Sequence, residues 1–143
     1  MKAEARFVFD TNTIISALLF SNSIPRQAFD AARKHGKLLL SQPVIEELAN
    51  VLARPKFDRY VTSIERFEFL AALIAKSDQV TVTVSIAACR DPKDNKFLEL
   101  LVSGNGDCLV TGDQDLLILH PYNAIPILTA TDFVAREWVR SED

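Results

Sequence analysis

Short apolar runs alternate along the chain with longer stretches in which apolar side chains recur at helical spacing. Buried strands are predicted from four of the runs, at residues 6–9, 38–40, 108–111 and 125–128. An edge strand is predicted at residues 80–84, where valine alternates with threonine. Helices are predicted between the strands, at residues 13–20, 25–36, 43–54, 57–76, 94–102, 115–119 and 131–139. Because strands alternate with helices throughout, we expect an α/β fold with a parallel sheet covered on both faces.

The length and composition are those of one compact domain, residues 1–143. Of the 143 residues 48% are hydrophobic and 24% are charged, and we find no repeat, linker or low-complexity segment. Cys89 and Cys108 form no C-x-x-C pair, and with the two histidines they lack zinc-ligand spacing. No signal peptide follows Met1, and no run reaches membrane-spanning length. We therefore expect a cytoplasmic protein without a membrane-embedded part.

The charge balance restricts how the protein could bind nucleic acid. The formal net charge is −3, whereas a protein that coats nucleic acid needs surplus lysine and arginine to neutralise phosphates. A cluster of acidic residues around divalent cations resolves this conflict, because the cations reverse the local field.

Two aspartates stand where predicted buried strands end. Asp10 opens a polar segment after residues 6–9, and Asp113 follows Gly112 just after residues 108–111. In open α/β sheets the ligand site lies beyond the carboxyl ends of the strands, so these two acids are site candidates. Taken singly, each could equally be a helix cap. Asp115, two residues further on, is a capping or outer-shell candidate.

Two further acids lie on predicted helices. Glu47 borders the apolar stripe of its helix, whereas Glu46 points to the opposite side. Asp94 falls in the first helical turn after the predicted N-cap Asp91, on the side that carries Phe97. A structural alternative exists for each: Glu47 could simply reach into water, and Asp94 could complement the helix dipole.

The four acids Asp10, Glu47, Asp94 and Asp113 predict a metal site if they share one edge of the sheet. Unpaired carboxylates in one pocket repel and raise one another's pKa values, and divalent cations remove that conflict. Oxygen-only ligation favours Mg²⁺ or Mn²⁺ over zinc. Such ions bind phosphate oxygens and lower the pKa of a bound water, which is the chemistry of phosphodiester hydrolysis.

The same residues resemble the PIN-domain family over nearly the whole chain. The resemblance lies in ordered motifs: Phe-Asp-Thr-Asn at 9–12, the helix of Glu47 running to Arg-Pro-Lys-Phe at 54–57, Asp-Pro-Lys-Asp at 91–94, and Val-Thr-Gly-Asp-Gln-Asp-Leu at 110–116. The second and fourth motifs resemble a bacterial and archaeal subgroup, the VapC-like ribonucleases of toxin–antitoxin pairs. The family implies a Rossmann-like, three-layer α/β/α sandwich around a central parallel sheet.

The resemblance also implies an activity and a role for each acid. It implies cleavage of single-stranded or structured RNA by a metal-activated water, which leaves a 5′-phosphate and a 3′-hydroxyl. Asp10 and Asp94 would be the principal metal ligands, and Glu47 and Asp113 would complete the pocket directly or through water. The implied protein partners are a cognate antitoxin that covers the acidic edge and a second copy of the chain in a homodimer.

Supporting and substrate-binding residues are less well defined by the resemblance. Asn12 and Thr111 match polar positions that support the acids by hydrogen bonds. Substrate-contacting residues are not fixed in the family. Four basic residues lie near the predicted pocket, and for each a solvated surface role is the alternative: Arg26, Arg90, Lys93 and Lys96.

Other functional classes fit the sequence less well. A phosphatase of the haloacid-dehalogenase type requires a second aspartate two residues after the first, where this chain has Asn12. A dinucleotide-binding fold requires a G-x-G-x-x-G motif after the first strand, and none is present. The alternative from a different class is a non-catalytic PIN-like adaptor that binds RNA or protein.

Overall fold

A five-stranded parallel sheet forms the centre of the computed structural model, which describes residues 4–136 and 138. In chain order the strands are β1 (Ala5–Phe9), β2 (Gly36–Leu40), β3 (Asp78–Gln79), β4 (Cys108–Val110) and β5 (Ile127–Leu128). The α-helices are α1 (Thr11–Leu19), α2 (Ile24–His35), α3 (Gln42–Leu52), α4 (Ser63–Lys76), α5 (Asn95–Ser103), α6 (Gln114–Leu117) and α7 (Ala130–Ala135). Two 3₁₀ turns occupy Pro55–Phe57 and Pro92–Asp94.

Helices cover both faces of the sheet, as the sequence predicted. Phe7 and Phe9 point to one face, where their rings pack edge-on against Phe133 of α7, and Phe9 also packs against Phe29 of α2. Val8 points to the other face by strand alternation, and α5 packs against β1 there. The three-layer α/β/α sandwich is therefore confirmed.

The strand order creates a topological switch point at the carboxyl ends of the central strands. The order β3-β2-β1-β4-β5 puts β1 in the centre, and the chain builds outward first through β2 and β3, then through β4 and β5. In such sheets the connections leave the carboxyl ends of the two central strands in opposite directions, which opens a crevice. Asp10 directly follows β1 at this crevice.

The prediction of one helix over residues 57–76 was wrong in its first third. A 3₁₀ turn ends at Phe57, and α4 begins only after Thr62, which caps it in a capping box with Glu65. Helical spacing puts Phe67, Leu70, Ala71 and Ile74 on one face, but Phe67 is exposed, and Arg66 is buried. The guanidinium of Arg66 donates to the Leu52 carbonyl, so a charged side chain satisfies the end of α3.

Residues 80–84 do not form the predicted edge strand. The strand β3 lies two residues earlier, and only the Val80 amide continues the pairing by donating to the Leu40 carbonyl. Beyond that point the backbone follows α5 instead of β2. Ser103, Glu99 and Asn95, spaced four apart on α5, accept from the amides of Thr83, Ile86 and Cys89. These side chains replace a strand as the acceptors for the segment.

The helix predicted at residues 131–139 is observed as α7, which ends at Ala135. The prediction was wrong at Arg136 and Trp138, which are not helical, and residues 137 and 139 lie outside the described part of the chain. The prediction that no signal peptide follows Met1 begins in residues 1–3, which also lie outside the described residues. Among the described residues, no helix combines the length and apolar character needed to cross a membrane.

Candidate functional site

Asp10 is held at the carboxyl end of the central strand by three local contacts. Its backbone amide donates to the Val110 carbonyl of β4 at 3.1 Å. Its Oδ1 accepts from the Thr13 amide at 2.9 Å, which makes Asp10 the N-cap of α1, and its Oδ2 accepts from the Thr111 hydroxyl. Only 5% of Asp10 is exposed, and this burial raises the pKa of its carboxyl group. The capping alternative is therefore correct, but the cap alone does not explain a buried carboxyl group at the crevice.

Thr111 joins two of the acids. It is fully buried after β4, and its hydroxyl donates to Asp10 while accepting from the Asp113 amide at 3.0 Å. The predicted supporting contact of Thr111 is thus present in the structure. Asp113 in turn caps α6, because its Oδ1 accepts from the Asp115 amide at 2.8 Å.

Asp94 and Asp113 lie close enough for their carboxyl groups to share a hydrogen bond. Burial, this hydrogen bond and the charges of Asp113, Asp91 and Asp10 raise the pKa of Asp94 to about 6. Asp91 reaches Asp94 through the 3₁₀ turn, whose start it caps at the Lys93 amide as the sequence predicted. Asp10, Asp94 and Asp113 therefore form one electrostatic cluster at the switch point.

Glu47 stands beside this cluster in a different setting. Its Oε1 accepts from Lys96 Nζ at 2.5 Å, and its Oε2 accepts from the Thr11 hydroxyl. Glu47 is half-buried and Glu46 is exposed, as their positions on α3 predicted. Because Lys96 neutralises it, Glu47 lacks the unbalanced charge that the three aspartates have. Thr11 was not predicted, although its position immediately after Asp10 was a usable signal.

Asn12 is exposed and, within the described part of the chain, its side chain makes no hydrogen bond with the acids. The predicted support from Asn12 is absent because it lies on the outer side of the first turn of α1.

The half-buried Cys89 was not predicted as a neighbour of the aspartates. Burial and the charges of Asp94 and Asp113 raise the pKa of its thiol to about 11, so a neutral thiol lies near the aspartates.

Three of the four basic candidates stay on the surface. Arg90 and Lys93 are exposed, and Arg26 pairs with Asp30 one turn further along α2. Only Lys96 joins the site, through its contact with Glu47.

The donor set of the aspartate cluster fits a divalent cation. Among residues 4–136 and 138, no three His, Cys, Asp or Glu side chains already have metal-ligand spacing. The carboxyl oxygens of Asp10 accept hydrogen bonds from Thr13 and Thr111, and the carboxyl group of Asp94 interacts with that of Asp113. A cation would relieve the burial and repulsion that raise the pKa values of Asp10 and Asp94. Oxygen donors alone suit Mg²⁺ or Mn²⁺.

Comparison with known proteins identifies the family. A PIN domain family model matches residues 6–115, which include all four predicted acids. The chain therefore belongs to the PIN-domain family, whose members are generally nucleases that use divalent metal ions.

One curated protein and two solved structures are similar to the chain. An uncharacterized protein of Methanocaldococcus jannaschii is 29% identical over 124 residues, covering 85% of this chain and 79% of the relative. The fold is shared with VapBC2 from Rickettsia felis bound to a DNA fragment from their promoter (TM-score 0.53, 13% identity, 86% of this chain and 96% of that chain). It is also shared with a protein of Pyrobaculum aerophilum (TM-score 0.59, 16% identity, 93% and 97%).

The raised pKa of Asp94 predicts a pH-dependent gain in stability for Asp94→Asn without metal. Below about pH 4 the group is protonated in both folded and unfolded chains and has no effect. Between about pH 4 and 6 the unfolded chain has lost this proton while the folded chain still holds it, so the penalty on the folded state grows over this range and is fully present above pH 6. Allowing for screening by water, we expect the variant to be about 1 kcal/mol more stable at pH 7.

Chemical denaturation in chelator between about pH 4.5 and 7.5 measures this difference. The exposed Asp132 at the start of α7 gives the control Asp132→Asn, which should show no such gain. A gain that stays constant over this pH range would show that the charge of Asp94 is not its cause.

Proposed function

We propose that this chain is a divalent-metal-dependent ribonuclease that hydrolyses phosphodiester bonds of single-stranded RNA and serves as the toxin of a toxin–antitoxin pair. The observation that supports it most strongly is the convergence of Asp10, Asp94 and Asp113 from three separate chain segments at the switch point. Asp10 is buried, and Asp94 and Asp113 are half-buried. Like charges held together in this way lower stability, so their presence is best explained by a cation that functions there.

The roles of the chain's own residues follow from their contacts. Asp10, Asp94 and Asp113 would hold the ion, which when bound supplies positive charge for the phosphate and lowers the pKa of a water. Thr111 fixes the orientation of Asp10 by donating to Oδ2 and positions the Asp113 backbone. Glu47, which accepts a hydrogen bond from the Thr11 hydroxyl, holds Lys96 at the edge of the cluster, where its ammonium group can contact a substrate phosphate.

Cleavage of labelled single-stranded RNA with Mn²⁺, Mg²⁺ or chelator tests the proposed activity. We expect cut products with 5′-phosphate ends in either metal and intact RNA in chelator. Cleavage of equal rate in chelator would refute metal dependence.

A non-catalytic adaptor is the second candidate, and one observation favours it. The four acids are engaged by hydrogen bonds and by Lys96, and they do not have ready metal-ligand spacing. An adaptor should bind RNA or a protein equally well with and without metal, and should leave RNA intact in Mn²⁺. The cleavage assay run beside a binding assay therefore separates the two candidates.

The toxin role rests on the family and on the fold shared with VapBC2. We expect expression of the chain to arrest growth and a neighbouring gene product to relieve the arrest, with Asp94→Asn harmless. Growth unaffected by well-expressed, active ribonuclease would contradict the toxin role and leave the enzymatic activity standing.

We also propose that the chain forms a homodimer, which light scattering at high concentration would detect.

Lys96→Met should separate metal binding from substrate binding. Removing a positive charge beside the aspartates should tighten Mg²⁺ binding by about three- to tenfold, by Coulomb's law at high dielectric and physiological salt. The same change should raise KM for RNA, because a phosphate contact is lost. Calorimetric Mg²⁺ titration and steady-state cleavage kinetics measure the two effects. Lys34→Met on the exposed end of α2 is the charge-matched control, and Mg²⁺ affinity changed equally in both variants would exclude a local role for Lys96.

A further inference from the structure

A cavity of about 320 Å³ lies at the amino ends of the strands, on the side of the sheet opposite the aspartates. Its lining includes Glu4, Gly36 and Ser77, which lie at or just before the starts of β1, β2 and β3. The aspartates follow the carboxyl ends of the parallel strands, so the cavity is separated from them by on the order of 15 Å, the length of a five-residue strand. It is therefore distinct from the proposed active site.

The inner wall of the cavity is apolar and aromatic. Phe29, Leu38 and Leu73 are buried residues of the core that line it, and Phe69 on α4 is a half-buried one. The rings of Phe29 and Phe69 lie 5.8 Å apart at 35°, so they form a continuous tilted surface. A flat apolar group can pack against such a wall.

The rim of the cavity is basic, in a protein whose net charge is −3. Arg33, Lys37 and Lys76 line it, against the single acid Glu4. Lys37 is partly neutralised by Asp78 at 3.5 Å, whereas neither Arg33 nor Lys76 forms an ion pair with a residue in the described part of the chain. Arg33 is held over the Phe29 ring at 5.6 Å, which places its charge beside the aromatic wall.

We propose that this cavity is a second ligand site, for a small anion joined to a flat aromatic group. The aromatic group packs on Phe29 and Phe69, and the anion lies between Arg33 and Lys76. A volume of this size suits one small molecule, and an apolar wall with a few charged groups at the mouth is typical of ligand sites. Nucleoside monophosphates and aromatic carboxylates share this chemistry.

Calorimetric titration of the full chain in chelator tests the proposal with four probes: adenosine monophosphate, indole-3-acetate, adenosine and inorganic phosphate. We expect saturable binding of at least one of the first two and about tenfold weaker binding of adenosine and phosphate, because each lacks one half of the recognised chemistry. Adenosine binding as tightly as the monophosphate would overturn the role of the cations. Phosphate binding as tightly would overturn the role of the aromatic wall, and binding of no probe would overturn the site.

Three variants locate the binding in the molecule. Arg33→Ala combined with Lys76→Ala should weaken binding of the anionic probe by about tenfold, since two charge-assisted contacts are lost. Ala72→Trp, on the exposed side of the cavity lining, should weaken it by filling the space. Lys34→Ala, one residue from Arg33 but not part of the lining, is the control for the loss of a nearby positive charge and should leave binding unchanged. Equal weakening by the control, or full binding by both cavity variants, would place the probe elsewhere.

Discussion

Asp94→Asn should lower metal-dependent RNA cleavage by about three orders of magnitude while the protein stays folded. The change removes one carboxylate from the cluster that we propose binds the cation, and the loss of a group used in the transition state appears in kcat and kcat/KM together. The amide keeps the shape of the side chain and can still donate to Asp113. Folding should therefore be retained, and the charge repulsion that raises the pKa of Asp94 disappears.

Single-turnover cleavage in saturating Mn²⁺ measures this effect, with circular dichroism to confirm the fold. Asp132→Asn serves as the control, because Asp132 is an exposed acid on α7. This variant should cleave RNA at the wild-type rate. If Asp94→Asn retained full activity, Asp94 would have no catalytic role, and the assignment of this site would be wrong.

Thr111→Val should reduce cleavage by about ten- to a hundredfold and also destabilise the protein. The hydroxyl of Thr111 orients Asp10 and accepts from the Asp113 amide, so valine leaves this partly buried amide without its acceptor. Loss of a hydrogen bond that orients a metal ligand typically costs this factor in activity. The unsatisfied donor should cost about 1–3 kcal/mol of stability.

Thr111→Ser separates positioning from simple loss of packing. Serine keeps the hydroxyl and loses only a methyl group, so it should restore most of the cleavage activity. Calorimetric Mn²⁺ titration adds a second readout: valine should weaken Mn²⁺ binding, whereas serine should not. If the valine and serine variants bound Mn²⁺ equally well, Thr111 would have only a structural role.

Much of the fold could be predicted because buried strands and amphipathic helices leave strong local patterns. The run at residues 6–9 and the polar stop at Asp10 define β1 and the cap of α1 almost to the residue. The segment at residues 80–84 could not be predicted, because its pattern of valine and threonine fits a strand. Within this segment the Thr83 amide donates to Ser103 on α5, and a side-chain acceptor from another helix leaves no periodic signal.

The proximity of the three aspartates could be predicted from the sequence, but the contacts of the neighbouring residues could not. The carboxyl ends of strands and the first turn of a helix placed Asp10, Asp94 and Asp113 correctly at one edge, because parallel strands share that edge. The pairing of Glu47 with Lys96 was not predicted, since it depends on how α3 and α5 pack and not on spacing within either helix. The burial of Arg66 was missed for a similar reason, because its acceptor is the last turn of α3.

We expect Asp10, Asp94 and Asp113 together to hold a divalent cation. Anomalous X-ray scattering from crystals soaked in Mn²⁺, recorded at the manganese absorption edge, tests it without depending on any substrate. A peak within coordination distance of carboxylate oxygens from at least two of the three aspartates, missing in crystals of Asp94→Asn, is the expected result. An empty cluster at saturating Mn²⁺, or a manganese ion bound at another place in the molecule, would contradict the claim.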